Sequence, residues 1–132
     1  MYKILSLFFV TYLIPMKPTR ILLIDDEEDY CLLMKNFFFA RNCDVQIAHT
    51  LKEGLDFIGT YNPEILFLDN NLPDGKGWSQ VDYILSTNPH TQIHLVSAYK
   101  PETNNIRALA KVKVWEKPIS LDNLSDILRA RA

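Results

Sequence analysis

The chain has no surplus of positive charge. Fourteen lysines and arginines face sixteen aspartates and glutamates, for a formal charge of −2. A nucleic-acid binder usually carries a clear basic excess or stripe, so that class of partner is set aside. Cysteine is scarce: Cys31 and Cys43 are the only two. They match no metal-ligand or redox spacing, which argues against a disulfide framework and for reduced thiols in the cytoplasm. No apolar run reaches the roughly 20 residues that span a bilayer. Internal repeats, low-complexity tracts and an interdomain linker are also missing, and 132 residues suit one domain.

Residues 4–14 are almost wholly apolar, preceded by Lys3 and followed by Pro15. They are too short for a transmembrane helix, and no small-residue cleavage site follows them as a signal peptide requires. Residues 1–15 are read as an extension outside the folded unit. Met16-Lys17-Pro18-Thr19-Arg20 then marks the true start, with a membrane anchor as the competing reading. The folded unit is 16–132.

What the chain does have is four apolar runs, each ending in residues that can do chemistry. Ile21-Leu22-Leu23-Ile24 runs into Asp25-Asp26, and Ile65-Leu66-Phe67-Leu68 into Asp69. Ile93-His94-Leu95-Val96 runs into Ser97, and Val112-Lys113-Val114-Trp115 into Glu116-Lys117-Pro118. Segments of helical period separate them. Tyr30, Leu33, Met34, Phe37 and Phe38 form one stripe, leaving Phe39 off the buried face. Leu51, Leu55 and Ile58 form a second, and Trp78, Val81, Ile84 and Leu85 a third. Ile106, Leu109 and Ala110 make a shorter one, and Leu121, Leu124, Ile127 and Leu128 the last. Val45 and Ile47 alternate with polar residues, as in a half-solvated edge strand.

The spacing predicts β1 20–25, α1 27–41, β2 43–48, α2 50–60, β3 64–69, α3 77–87, β4 91–97, α4 102–110, β5 112–116 and α5 119–130. Strict alternation with continuously apolar inner strands implies a doubly wound α/β fold, a parallel sheet covered on both faces. Ligands of such sheets bind beyond the carboxyl ends of the strands, where three carboxylates, a hydroxyl and an ammonium would meet.

Crowded carboxylates repel one another and need a cation. Asp25, Asp26 and Asp69 suit a hard divalent ion such as Mg²⁺, which takes oxygen ligands. The plainer reading of Asp25 to Asp29 is an acidic turn at the positive end of α1, and it accounts for Glu27 to Asp29. Asp69, followed by the turn-rich Asn70 to Gly77, is a further metal ligand or a nucleophile that forms an acyl phosphate. Lys117 could then offset the incoming charge and Ser97 donate to a phosphoryl oxygen. Singly, Ser97 reads as a strand cap and Lys117 as a surface lysine. A hydrolase triad of Ser97, His94 and Asp69 fails because His94 lies mid-strand and no nucleophile elbow exists. Gly75-Lys76-Gly77 is too short for a phosphate-binding P-loop.

The acidic pair Asp25-Asp26, Asp69, Ser97 and Lys117-Pro118, with Pro73 and Gly77 four and eight residues beyond Asp69, resemble the receiver domain of two-component response regulators. The resemblance covers about residues 18–132. It implies a flavodoxin-like (βα)5 sheet in the order 2-1-3-4-5. It also implies phosphorylation of Asp69, with Ser97 and Lys117 assisting. Mg²⁺ would be held by Asp26, Asp69 and the Asn71 backbone carbonyl, with Asp25 acting through water. The Lys-Pro bond is often cis in the family.

Three positions depart from the family pattern. Val114, with Trp115 beside it, stands where Phe or Tyr is usual, Ala110-Lys111 replace a common glycine and alanine, and the interval from Ser97 to Lys117 is short. Trp115 or Tyr99 is therefore expected to serve as the switch, or loop movement alone. Asn71 and Tyr99 occupy positions that tune phosphoryl hydrolysis in the family.

The expected protein is a stand-alone cytoplasmic phosphoacceptor rather than a metabolic enzyme. Its implied partners are a histidine kinase or phosphotransfer protein, and a target protein bound through α4-β5-α5, which here includes Arg107, Lys111, Lys113 and Trp115. A phosphorylation-independent binding module and a small-molecule phosphatase are the alternatives.

Overall fold

The computed structural model describes residues 17–99 and 109–131. The apolar run at 4–14, Arg107 and the expected α4 up to residue 108 lie outside the described residues. Five strands form one parallel sheet: β1 Thr19–Ile24, β2 Cys43–Ala48, β3 Ile65–Asp69, β4 Gln92–Ser97 and β5 Lys113–Glu116. Their order is 2-1-3-4-5, the doubly wound flavodoxin-like arrangement. Among the described residues the helices are α1 Glu28–Phe39, α2 Leu51–Tyr61, α3 Val81–Thr87 and, keeping the label α4 for the segment expected at 102–110, α5 Leu121–Arg131. Two stretches differ from expectation. A 3₁₀ turn, Gly77–Gln80, precedes α3, and another, Leu109–Lys111, stands where the end of α4 was expected.

Side chains on a strand alternate between faces, so two cores flank the sheet. Ile21, Leu23, Phe67 and Val96 point to the side of α1 and α5, where they meet Met34, Phe38, Leu124 and Ile127. Leu22, Ile24, Leu66, Leu68, Ile93 and Leu95 point to the side of α2 and α3, meeting Ile58, Trp78, Val81 and Ile84. Each such aliphatic side chain contributes roughly 1.5–3 kcal/mol by leaving water. Gly54 lets α2 approach closely, since a Cβ there would overlap the Ile24 side chain.

Two stripe residues were misplaced by periodicity. Leu33 is 60% exposed, while Cys31 fills the core beside Met34. At 3.6 residues per turn the buried arc of α1 centres on Cys31, Met34, Phe37 and Phe38, and Leu33 falls at its rim. Leu121 is 55% exposed, because it opens α5 and Ile119, two residues earlier, occupies the core instead. Phe39 is exposed as expected, and β2 lies at the sheet edge. Among the described residues no helix is long and apolar enough to cross a membrane.

Candidate functional site

Parallel pairing fixes the strand ends against one another. Ile24 lies opposite Leu68, Asp69 opposite Val96, and Ser97 opposite Glu116. The residues that follow these rungs therefore emerge at one edge of the sheet. Oxygen atoms of Asp25, Asp26 and Asp69 all lie within 4.8 Å of one another. Asp25 and Asp69 are buried, whereas Asp26 is exposed. Asp25 and Asp26 both follow the end of β1, but only Asp25 is buried.

Lys117 joins this group across the sheet. Its Nζ lies 2.6 Å from Asp25 Oδ2, 3.6 Å from Asp69 Oδ2 and 2.9 Å from Glu27 Oε1. The Lys117 amide donates to the Ser97 carbonyl at 2.9 Å, and the Lys117–Pro118 bond is cis. Burial alone would pull the ammonium down, but its bonds to Asp25 and Glu27 outweigh that and hold it well above the ordinary lysine range. Burial, then repulsion from Asp25, pushes Asp69 up to about 6 against the opposing pull of Lys117. Asp25 is likewise raised by burial, even with Lys117 and the Glu27 amide bonded to it. One lysine thus leaves the carboxylates under-compensated. An all-oxygen donor set with excess negative charge fits a hard divalent cation such as Mg²⁺.

Ser97 is buried at the end of β4, where its Oγ accepts the Tyr99 amide at 3.3 Å. That bond is the one expected of Ser97 as a strand cap. Asn71 lies two residues past Asp69 in a short hairpin, Asn71–Leu72 against Gly75–Lys76, and its side chain takes a bond from Lys76 Nζ. Gly77 closes the loop, and a Cβ there would overlap the Asp69 carbonyl oxygen. Trp78 donates its indole N–H to the Leu68 carbonyl at 3.0 Å, anchoring β3 from the other side.

Three residues near the site were not singled out by sequence. Glu27, read only as part of an acidic turn, is an ion-pair partner of Lys117. His49, just past the end of β2, bonds the Asp25 carbonyl through Nδ1 at 2.8 Å. Asp74 accepts the amides of Leu51 and Lys52 at 2.7 and 2.9 Å. Glu27 left a signal as an acid at a helix start and Asp74 as an acid among turn formers, but nothing in the sequence says which group either would meet. Cys31 is no nucleophile: its thiol donates to the Asp25 carbonyl at 3.4 Å, and burial pushes it up to about 12.

The family model described as response regulator receiver domain matches residues 21–129. Response regulator protein PilR of Pseudomonas aeruginosa is 28% identical over 116 residues, which cover 86% of this chain and 26% of that protein. The chain thus spans about a quarter of that relative's length. A CheY-like receiver domain protein from Methanospirillum hungatei superposes with a TM-score of 0.78 at 24% identity, covering 86% of this chain and 93% of that one. Response regulator TrrA of Thermotoga maritima, solved in complex with Mg²⁺–BeF, gives 0.75 at 22% identity, covering 86% and 99%.

Proposed function

Since the chain belongs to the response regulator receiver domain family, we propose that it takes a phosphoryl group onto Asp69 from a phosphohistidine. The donor is a histidine kinase or a phosphotransfer protein, and the product signals through protein contacts. A carboxylate oxygen of Asp69 attacks phosphorus, the P–N bond breaks as the new P–O bond forms, and the leaving imidazole takes up a proton. The carrying observation is the position of Lys117, whose ammonium lies beside Asp25 and 3.6 Å from Asp69. There it can offset charge arriving on phosphoryl oxygens. Ser97 lies at the end of the neighbouring strand, where its hydroxyl can donate to one of those oxygens.

Asp26, Asp69 and the Asn71 carbonyl would hold Mg²⁺, with Asp25 acting through water. The ion supplies charge neutralisation between the carboxylates and the phosphoryl oxygens. The relative solved with Mg²⁺–BeF supports that choice of metal. Of the expected target surface, Lys111 and Lys113 face solvent, while Trp115 is half-buried. The compartment is the cytoplasm, in line with two free cysteines. The expectation of a receiver acting alone finds no support in PilR, a much longer protein.

The test is intact mass after incubation with acetyl phosphate and Mg²⁺. One phosphoryl adduct on the wild type, absent from Asp69→Asn and from an EDTA control, is the expected result. No adduct on a protein shown to bind Mg²⁺ would favour a phosphorylation-independent module.

A further inference from the structure

One short segment, Ala48 to Lys52, touches both loops that supply the carboxylates. On one side the Asp25 amide donates to the Ala48 carbonyl at 2.9 Å, and His49 Nδ1 lies 2.8 Å from the Asp25 carbonyl. A carbonyl oxygen only accepts, so Nδ1 must carry the proton. On the other side, the Asp74 carboxylate receives the first two amides of α2, Leu51 and Lys52. Thr50 Oγ1 takes the Glu53 amide at 3.2 Å. Asp74 belongs to the loop that follows Asp69, so it caps a helix more than twenty residues away in sequence. The geometry is that of a capping carboxylate at the positive end of a helix, supplied by a distant loop.

We infer that His49 and Asp74 are positioning residues, which brace the Asp25-Asp26 loop and the Asn71 loop against the start of α2 and so preset the spacing of the metal ligands. The inference rests on the reading of Asp25, Asp26 and Asp69 as a metal site. Neither residue needs to touch the ion. Without the brace, each loop would have to be fixed by the cation itself, and binding would weaken by the ordering that the ion must then supply. Asn at position 49 can present an amide N–H close to where Nδ1–H now lies. Gln and Ala cannot.

The experiment uses Mn²⁺ as the probe, with free Mn²⁺ read from its paramagnetic resonance signal, on the full chain. Melting temperature is measured on each metal-free variant alongside. The expected result is a dissociation constant about tenfold higher for His49→Ala, His49→Gln and Asp74→Ser, and wild-type affinity restored in His49→Asn. Lowered melting temperatures with Mn²⁺ affinity within twofold of wild type would overturn the inference, since the residues would then be structural only. Should one variant not fold, the remaining substitutions and the Gln–Asn contrast at position 49 carry the same decision. No Mn²⁺ binding by the wild type would instead overturn the metal-site reading itself.

Discussion

Trp115 donates its indole N–H to Nδ1 of His94 at 2.9 Å. His94 is fully buried in β4 and stacks on Phe67, with ring centroids 5.1 Å apart. Because Nδ1 accepts, the imidazole is neutral with its proton on Nε2, a buried atom that has no partner among the described residues. Burial, and then the charge of Lys113, lowers His94 to about 4.

The pH consequence has a definite sign. Unfolded, His94 would titrate near its usual value of about 6.5. Between that pH and about 4 the unfolded chain binds the extra proton, so the stability held by the neutral ring is lost as pH falls through this window. At about 1.4 kcal/mol per pH unit, the loss from this residue is roughly 3 kcal/mol. Unfolding free energies from urea titration of wild type and His94→Phe should diverge by that amount from pH 7 to 4, and parallel curves would contradict it.

The same bond bears on the switch. Trp115 is tied inward, whereas Tyr99 is 75% exposed. Of the two aromatic candidates, Tyr99 is the one free to move. On adding beryllofluoride and Mg²⁺, the Trp115 indole N–H resonance should stay close to its apo position while Tyr99 ring signals shift. A large displacement of the indole resonance would reverse the assignment.

Asp69 titrates in the opposite sense from His94. Its folded value of about 6 lies above the unfolded one, so its stabilising contribution is complete below about 4 and lost as pH rises through 6. In metal-free protein at pH 7 the charged carboxylate therefore costs stability. Asp69→Asn should unfold at higher urea, with a gain of roughly 3 kcal/mol at pH 7 that vanishes by pH 4. Adding Mg²⁺ should raise the midpoint of the wild type more than that of the variant.

Removing Lys117 strands its buried partners. Lys117→Met should cost about 3 kcal/mol at pH 7, because the Asp25 and Asp69 charges lose their compensating ammonium. Lowering pH until both carboxyls are neutral should recover much of that loss. The acetyl phosphate mass assay should show little or no adduct on this variant at pH 7.

Gly77→Ala tests the close approach to the end of β3 at Asp69. A Cβ there overlaps the Asp69 carbonyl oxygen, so the loop or the end of β3 must shift. Overpacking of this kind costs about 1–3 kcal/mol. The expected result is that loss in denaturant titration together with slower adduct formation. Full rate at lower stability would show that the loop moves and the strand end does not.

Much of the fold was legible because parallel inner strands are written as continuous apolar runs. Every strand of the parallel sheet begins and ends within one residue of its expected bounds. The grouping of Asp25, Asp26, Asp69 and Lys117 was legible for the same reason, since each stands within two residues of the end of a run. Leu33 and Leu121 were not, because a stripe gives a helix face only to within one residue of its rim. His49 and Asp74 act through backbone groups of segments distant in sequence, and neither side-chain chemistry nor spacing carries that information. Glu27 was legible as an acid at a helix start but not as a partner of a lysine 90 residues away.

The rung-by-rung pairing of β1, β3, β4 and β5 fixes their four carboxyl ends relative to one another. Lengthening any one of the strands by a residue would turn its terminal side chain to the opposite face, breaking the site while leaving the hydrophobic pattern almost intact. The helices carry no such lock, because their outer faces enter neither the ladder nor the site. A lineage of such chains can therefore rewrite its helical surfaces freely while its strands keep a common ruler.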